Sequence, residues 1–136
     1  MSFVLDASVA LAWCFEDEQT PDVLALLDRV VETGAFAPLL WPVEVLNGLL
    51  VAERRQRIDR HRRAKLADFL RDLPIALDPE LAGRVWEDTV ALAERFQLTV
   101  YDAGYLELAL RRRLPLGSLD RDLRAAAGGL GVVVLG

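Results

Sequence analysis

The alternation of apolar and polar positions along the chain predicts strands and helices that follow one another in turn. Short apolar runs bounded by turn residues predict buried strands, whereas apolar residues that recur every three or four positions predict helices. The predicted strands cover residues 2–6, 35–38, 75–77, 116–119 and 132–135. The predicted helices cover about 8–15, 21 to Gly34, Pro42 into an arginine-rich segment, 59–73, 81–96, 102–112 and 122–127.

This order of elements is typical of a short parallel central sheet that is flanked by helices on both faces, an α/β fold of three layers. The length of 136 residues and the hydrophobic content of 53 % suit one domain, residues 1–136, with one core. No secretory signal or membrane-spanning stretch is recognisable, so we expect a soluble, cytoplasmic protein without a membrane partner.

Four acidic residues lie in apolar surroundings that give no local reason for a charge. Asp6 ends the first strand and is the only charged side chain among the first fifteen residues. Glu44 lies in the apolar helix WPVEVLNGLLVA, where Asn47 is the only other polar side chain. Asp102 lies in LTVYDAGYLELA, and Asp120 follows the strand in LPLGSL.

Each of these acids also has an ordinary structural explanation. Asp6, Asp102 and Asp120 could cap the helices that follow them, where aspartate is favoured. Glu44 could complement the dipole of its own helix. Buried carboxylates are nevertheless normally paired or bound to metal, and four of them together favour one shared site at the carboxyl ends of the strands.

The remaining residues narrow the chemistry that such a site could perform. The single histidine, His61, lies in the arginine-rich segment, so neither a serine nor Cys14 has an evident general base. The glycines form no phosphate-binding loop. Clustered carboxylates supply the hard oxygen ligands that Mg²⁺ or Mn²⁺ prefers, and such ions activate water and assist phosphoryl transfer.

Four segments together resemble the PIN domains, and within them the VapC-type toxins of bacterial toxin–antitoxin pairs. They are VLDASV, PVEVLNGL, LTVYDAGYLELA and SLDRDLRAAA, in the order and at the spacing of that family. The resemblance covers essentially the whole chain. It implies that Asp6, Glu44, Asp102 and Asp120 form the catalytic metal site.

The same resemblance assigns supporting roles to Ser8 and Asn47, while Asp122 is a nearby acid that could assist or replace Asp120. It implies endonucleolytic cleavage of RNA, a homodimer, and inhibition by a small VapB-type antitoxin. Two alternatives stay open: a PIN nuclease that processes cellular RNA without a toxin role, and a non-catalytic binding module on a PIN fold. A receiver-type phosphoacceptor domain is disfavoured because the only lysine, Lys65, lies in a basic helix.

The net charge of −5 conceals a strongly basic segment. Seven of the sixteen basic residues lie between Arg54 and Lys65, and three more form the run Arg111 to Arg113. The segment could be a solvated helix end, or it could bring the RNA backbone towards an acidic site that would otherwise repel it. The RNA-binding candidates are Arg54, Arg55, Arg57, Arg62 and Arg63.

Overall fold

The computed structural model describes residues 2–136 and contains a five-stranded sheet in which every pair of neighbouring strands is parallel. The order across the sheet is β3-β2-β1-β4-β5. The strands are β1 (Val4–Leu5), β2 (Ala35–Pro38), β3 (Ile75–Asp78), β4 (Leu116–Gly117) and β5 (Val134–Leu135). The predicted α/β class with a short parallel sheet is therefore confirmed.

Eight α-helices lie within the described residues, together with one 3₁₀ turn at Glu16–Glu18 and one π-helical turn at Val85–Thr89. The helices are α1 (Ala7–Ala12), α2 (Pro21–Thr33), α3 (Trp41–Arg54), α4 (Arg60–Asp72), α5 (Leu81–Arg84), α6 (Val90–Phe96), α7 (Val100–Arg112) and α8 (Arg121–Gly129). None of them combines the length and apolar character that are needed to span a bilayer.

The core encloses the central strand from both sides. Phe3, Val4 and Leu5 follow one another along the chain, and all three are fully buried. Because successive side chains of a strand point to opposite faces, helices must cover both faces of the sheet here. Helices on both faces give the three layers that the sequence predicts. Because all five strands are parallel, their carboxyl ends lie at one shared edge of the sheet.

Helices α1 and α3, which follow β1 and β2, pack closely side by side. A methyl group on Gly48 of α3 would lie only 2.5 Å from Cδ1 of Leu11 in α1. The absence of a side chain at Gly48 therefore permits this close approach. The contact also brings the start of α1, after Asp6, towards the first turn of α3, which carries Glu44.

Helix α7 begins two residues earlier than the sequence predicted. The Thr99 hydroxyl accepts a hydrogen bond from the backbone N–H of Asp102 at 3.1 Å and so caps the helix. The structure therefore assigns the capping role to Thr99 and leaves the Asp102 carboxylate, in the first turn, available for other contacts.

The segment predicted as one helix over residues 81–96 is divided by the π-helical turn between α5 and α6. Helical spacing over residues 81–96 predicts one apolar stripe that includes Trp86. This prediction is wrong for Trp86, which is 81 % exposed. A π turn holds more residues than an α turn, so the apolar positions before and after it no longer share one face. Thr89 and Ala93 keep their buried positions.

A network of ion pairs anchors the C-terminal end of α7 to the end of β3. Arg111 donates to Asp78 Oδ2 at 2.7 Å, and Arg112 donates to Asp78 Oδ1 at 3.2 Å. Burial alone would raise the pKa of Asp78, but the hydrogen bonds from the two arginines outweigh it and hold the pKa below its usual range. Arg111 also bonds Glu107 of its own helix. Two arginines of the run Arg111 to Arg113 therefore have a structural role, because they pair with the buried carboxylate of Asp78.

Candidate metal centre

The four predicted acids all lie on elements that start or end at the carboxyl edge of the sheet. Asp6 directly follows β1, and Asp120 follows β4 by three residues. Glu44 lies in the first turn of α3, which starts after β2, and Asp102 lies in the first turn of α7. This is the edge at which open parallel sheets gather their reactive groups.

Asp6 is the most deeply buried of the four, with 4 % of its surface exposed. Its carboxylate does not cap α1, although the residue occupies the N-cap position. Instead, Oδ2 accepts hydrogen bonds from Ser8 Oγ at 2.6 Å and from Ser118 Oγ at 2.8 Å. Two hydroxyls therefore orient a carboxylate that the capping explanation does not account for.

The two serines also hold the loop that carries Asp120. The backbone N–H of Leu119 donates to Ser8 Oγ at 3.0 Å, and the N–H of Asp120 donates to Ser118 Oγ at 3.1 Å. Each hydroxyl thus accepts from the loop after β4 while it donates to Asp6. The position of Asp120 relative to Asp6 is fixed by these four hydrogen bonds.

Glu44 is half-buried, and its partner comes from α7. The hydroxyl of Tyr105 donates to Glu44 Oε1 at 2.7 Å. Burial, followed by the charge of Glu44, raises the pKa of Tyr105 well above its usual range, so the phenol stays protonated and remains a donor. The sequence favours core packing for Tyr105, and the residue is indeed fully buried, but its hydroxyl also reaches the acid site.

Asp120 does cap α8, because its Oδ2 accepts a hydrogen bond from the backbone N–H of Leu123 at 3.2 Å. Helix capping therefore accounts for Asp120, but its charge can still act on the neighbouring carboxylates. The charge of Asp120 raises the pKa of both Asp6 and Asp102. The charge of the exposed Asp122 also raises the pKa of Asp102, but it contributes least to that shift. Asp120 therefore belongs to the cluster more closely than Asp122.

Mutual repulsion connects all four carboxylates. Burial raises the pKa of Asp6 and of Glu44, and the charges of neighbouring acids raise both further. Burial, followed by the charges of Asp6 and Asp120, raises the pKa of Asp102 to about 6. Like charges act on one another in this way only over short distances in a partly buried site.

This donor set fits a hard divalent cation, since carboxylate oxygens are its preferred ligands and its charge would offset the repulsion. The candidates to hold the ion are Asp6, Glu44, Asp102 and Asp120. Within residues 2–136, no three His, Cys, Asp or Glu side chains already converge to share one ion in their present conformations. The assignment of a cation site therefore rests on the carboxylate chemistry of these residues and on the repulsion among them.

Thiol chemistry has little support at Cys14. The residue is buried, and desolvation raises the pKa of its thiol to about 11 although the charge of Arg62 opposes the shift. The reactive thiolate is therefore scarce at neutral pH. His61 is exposed on α4, in agreement with its predicted place in a solvated helix.

Asn47 lies on α3 three residues after Glu44 and is exposed. Its polar side chain therefore needs no buried partner, and its supporting role stays a prediction. Ser118 was missed by sequence analysis, because a serine near the end of a strand is an ordinary residue there. The signals that could have found the two missed partners were a hydroxyl two residues before Asp120 and a tyrosine one helical turn after Asp102.

The arginine segment lies at the far end of α3 from Glu44. Arg54 is ten residues beyond Glu44, which corresponds to about 15 Å along a helix. Arg57 pairs with Asp17 at 2.9 Å and Glu18 at 3.0 Å.

Arg63 pairs with Glu53. Arg54, Arg55 and Arg62 are exposed. The five RNA-binding candidates therefore divide into two that have acidic partners and three that face solvent.

Comparison with known proteins agrees with this architecture. The sequence profile of the family described as PIN domain matches residues 3–129. Ribonuclease VapC3 of Pyrobaculum aerophilum is 29 % identical over 123 residues, a match that covers 90 % of this chain and 92 % of that protein.

Two solved structures show the same fold. The crystal structure of PAE2754 from Pyrobaculum aerophilum has a TM-score of 0.71 at 23 % identity and covers 98 % of this chain and 83 % of that chain. A toxin–antitoxin complex from Klebsiella pneumoniae has a TM-score of 0.61 at 21 % identity and covers 96 % of this chain and 95 % of that chain. These matches confirm the resemblance that the four sequence segments indicated.

The raised pKa of Asp102 makes a prediction about stability without added metal. An acid whose pKa is about 6 when folded, against 3.8 as the reference value, binds more protons in the folded state. The free energy of unfolding should therefore fall as the pH rises across that interval. Asp102→Asn should make this decline shallower and leave the protein at least as stable as the wild type at about pH 7.

Urea denaturation in the presence of a chelator, repeated at several pH values, measures this effect. Asp122→Asn is the matched control, since Asp122 is exposed and contributes least to the shift. An Asp102→Asn variant whose stability follows the same pH dependence as the wild type would show that the carboxylates do not repel one another as described.

Proposed function

This chain belongs to the PIN domain family, and from that premise we propose that it is a metal-dependent endoribonuclease that acts as the toxin of a toxin–antitoxin pair. The observation that carries the proposal is the coupling of four carboxylates at one edge of the sheet, two of them held by hydroxyl groups from other elements. A relative that is named a ribonuclease supports RNA as the substrate.

In this proposal, hydroxyl residues orient two of the carboxylates, and the carboxylates supply the negative charge that binds the metal ion. Ser8 and Ser118 fix the Asp6 carboxylate, and Tyr105 fixes that of Glu44. Asp102 and Asp120 add charge from the starts of α7 and α8. The four carboxylates would hold Mg²⁺ or Mn²⁺, which when bound lowers the pKa of a coordinated water and offsets negative charge on the phosphodiester.

Asp6 gives the sharpest test of catalysis. Asp6→Asn keeps the size of the side chain and can still accept from Ser8 and Ser118, but it removes the charge. We expect cleavage of a mixed RNA pool in Mn²⁺ to fall by at least about 100-fold, the loss typical of a group that stabilises charge in the reaction. The measurement is the rate of appearance of new RNA ends, mapped by sequencing.

The exposed acid Asp72 provides the matched control, and Asp72→Asn should cleave at the wild-type rate. If Asp6→Asn cleaves normally, the carboxylate has no part in the reaction. If the wild-type protein binds RNA but does not cut it with either metal, the non-catalytic binding module becomes the better description.

The exposed arginines are proposed to contact the RNA backbone. Neutralising Arg54, Arg55, Arg57, Arg62 and Arg63 together should weaken RNA binding and reduce its salt dependence, by about 0.7 in the log–log slope for each phosphate that the variant no longer neutralises. Fluorescence anisotropy with a single-stranded RNA at several salt concentrations measures the slope.

A partial variant separates the contributions within this set. Replacing Arg54, Arg55 and Arg62 should account for most of the change, because Arg57 and Arg63 are already paired with acids. An unchanged slope in the full variant would mean that the segment is only a solvated surface.

We also propose that an antitoxin segment occupies an apolar groove of about 480 Å³ between α3, α4 and β3. Trp41, Val45 and Leu46 of α3 line one side, and Leu70 and Leu77 line the other. Such a groove suits a short amphipathic helix that inserts apolar anchors. Since the groove includes the first turn of α3, an arginine of the bound segment could extend to Glu44 and its neighbours.

The antitoxin proposal predicts that Leu46→Glu abolishes both binding and inhibition by the antitoxin, which we expect to be a small protein encoded beside this gene. The charge would be buried against apolar anchors without a partner. Co-purification and RNA cleavage in the presence of the small protein are the measurements. Val31→Glu is the control, since it places the same charge on an exposed apolar position of α2. Normal inhibition of the Leu46→Glu variant would place the antitoxin elsewhere.

A homodimer is proposed from the apolar side chains that one copy leaves exposed, such as Val43 at 70 % and Trp86 at 81 %. Exposed apolar surface of this kind is commonly covered by a second copy. Sedimentation at micromolar concentration should give the mass of two chains. A monomer under those conditions would contradict this part of the proposal.

A further inference from the structure

We propose that Tyr105 is a positioning residue whose hydroxyl holds the carboxylate of Glu44 at the metal centre. The inference rests on the proposed function and adds a residue to it. The hydroxyl donates to Glu44 Oε1 at 2.7 Å, across 61 residues of sequence and between α7 and α3. It is therefore a direct link between the two helices that carry Asp102 and Glu44.

The surroundings of Tyr105 show why a hydroxyl matters at this position. The residue is fully buried and is the largest completely buried side chain among residues 2–136, so its ring alone would serve as a core residue. The core has no need of the hydroxyl, which a phenylalanine would lack. The backbone N–H of Ala7, next to Asp6, lies near enough to this oxygen to oppose the rise in the pKa of Tyr105. One phenol oxygen thus lies where the elements that carry three of the acids meet.

Repulsion explains what the hydrogen bond achieves. Asp6 and Asp102 both act on Glu44 with like charge, which favours conformations that turn its carboxylate away from them. Glutamate is long and flexible, and Glu44 lies in the first turn of its helix with solvent nearby. The Tyr105 ring is immobilised by burial, so its hydroxyl can hold the carboxylate against this repulsion.

The hydrogen bond between Tyr105 and Glu44 should strengthen metal binding, and it should affect the reaction only through the bound metal. With its carboxylate held, Glu44 loses little freedom when an ion binds. Groups that orient a metal ligand through a hydrogen bond typically contribute a factor of about 10 to 100 in affinity. We therefore expect Tyr105→Phe to weaken Mn²⁺ binding by at least about 10-fold, while the secondary structure is retained.

Isothermal titration calorimetry with Mn²⁺ alone tests this expectation on the intact chain, after circular dichroism has confirmed folding. The matched control is Tyr101→Phe, which removes a hydroxyl that is largely exposed beside Asp102 and should leave Mn²⁺ affinity unchanged. A second variant, Glu44→Asp, keeps the charge but shortens the side chain by one methylene, out of reach of the hydroxyl. It should also bind Mn²⁺ at least about 10-fold more weakly.

A double-mutant cycle distinguishes positioning from a general effect on the fold. If Tyr105 acts through Glu44, Tyr105→Phe should cause no further loss of Mn²⁺ affinity when Glu44 is already alanine. RNA cleavage by Tyr105→Phe should recover most of its rate at high Mn²⁺, because the carboxylate is still present. Cleavage by Glu44→Ala should not recover.

The outcomes separate this inference from the function on which it rests. Tight Mn²⁺ binding by the wild type with equal affinity in Tyr105→Phe would overturn the role of Tyr105 and leave the metal centre intact. Additive losses in the cycle would also overturn it, since the hydroxyl would then act elsewhere. A wild-type protein that binds no Mn²⁺ would overturn the metal centre and the role of Tyr105 together.

Discussion

The repulsion among four carboxylates at one edge of the sheet is the constraint on which the rest of the structure depends. Burial and neighbouring charge raise the pKa of Asp6, Glu44 and Asp102, so the fold holds these groups against their electrostatic preference. Hydroxyl donors offset part of that cost at Asp6 and Glu44. A divalent cation would offset the remainder, which explains why a fold would maintain such a cluster.

The architecture serves this cluster at several levels. The parallel sheet brings the carboxyl ends of β1 and β4 together, so that Asp6 and Asp120 meet although they are far apart in sequence. The close packing of Gly48 against Leu11 brings α3 alongside α1. The ion pairs between Arg111 and Asp78 anchor the far end of α7.

Sequence reasoning found the acids and the sheet because both leave local signals: a charge in an apolar run, and an alternation of strand and helix patterns. It did not find Ser118 or Tyr105, since their bonds to Asp6 and Glu44 span 112 and 61 residues and no local pattern records them. It assigned Trp86 to the apolar stripe of a helix because helical periodicity assumes an unbroken α-helix, which the π turn interrupts. Capping of α7 by Thr99 was likewise hidden, because Asp102 is itself a plausible cap.

The central claim is that Asp6, Glu44, Asp102 and Asp120 together form the site of one or more divalent ions. Anomalous diffraction from crystals grown with Mn²⁺ tests it most directly, since the signal locates the metal itself. We expect an anomalous peak among these four side chains, with carboxylate oxygens at coordination distance and with Ser8, Ser118 and Tyr105 still bonded to the ligands. Mn²⁺ found only at other acids on the surface, with these four carboxylates unliganded, would contradict it.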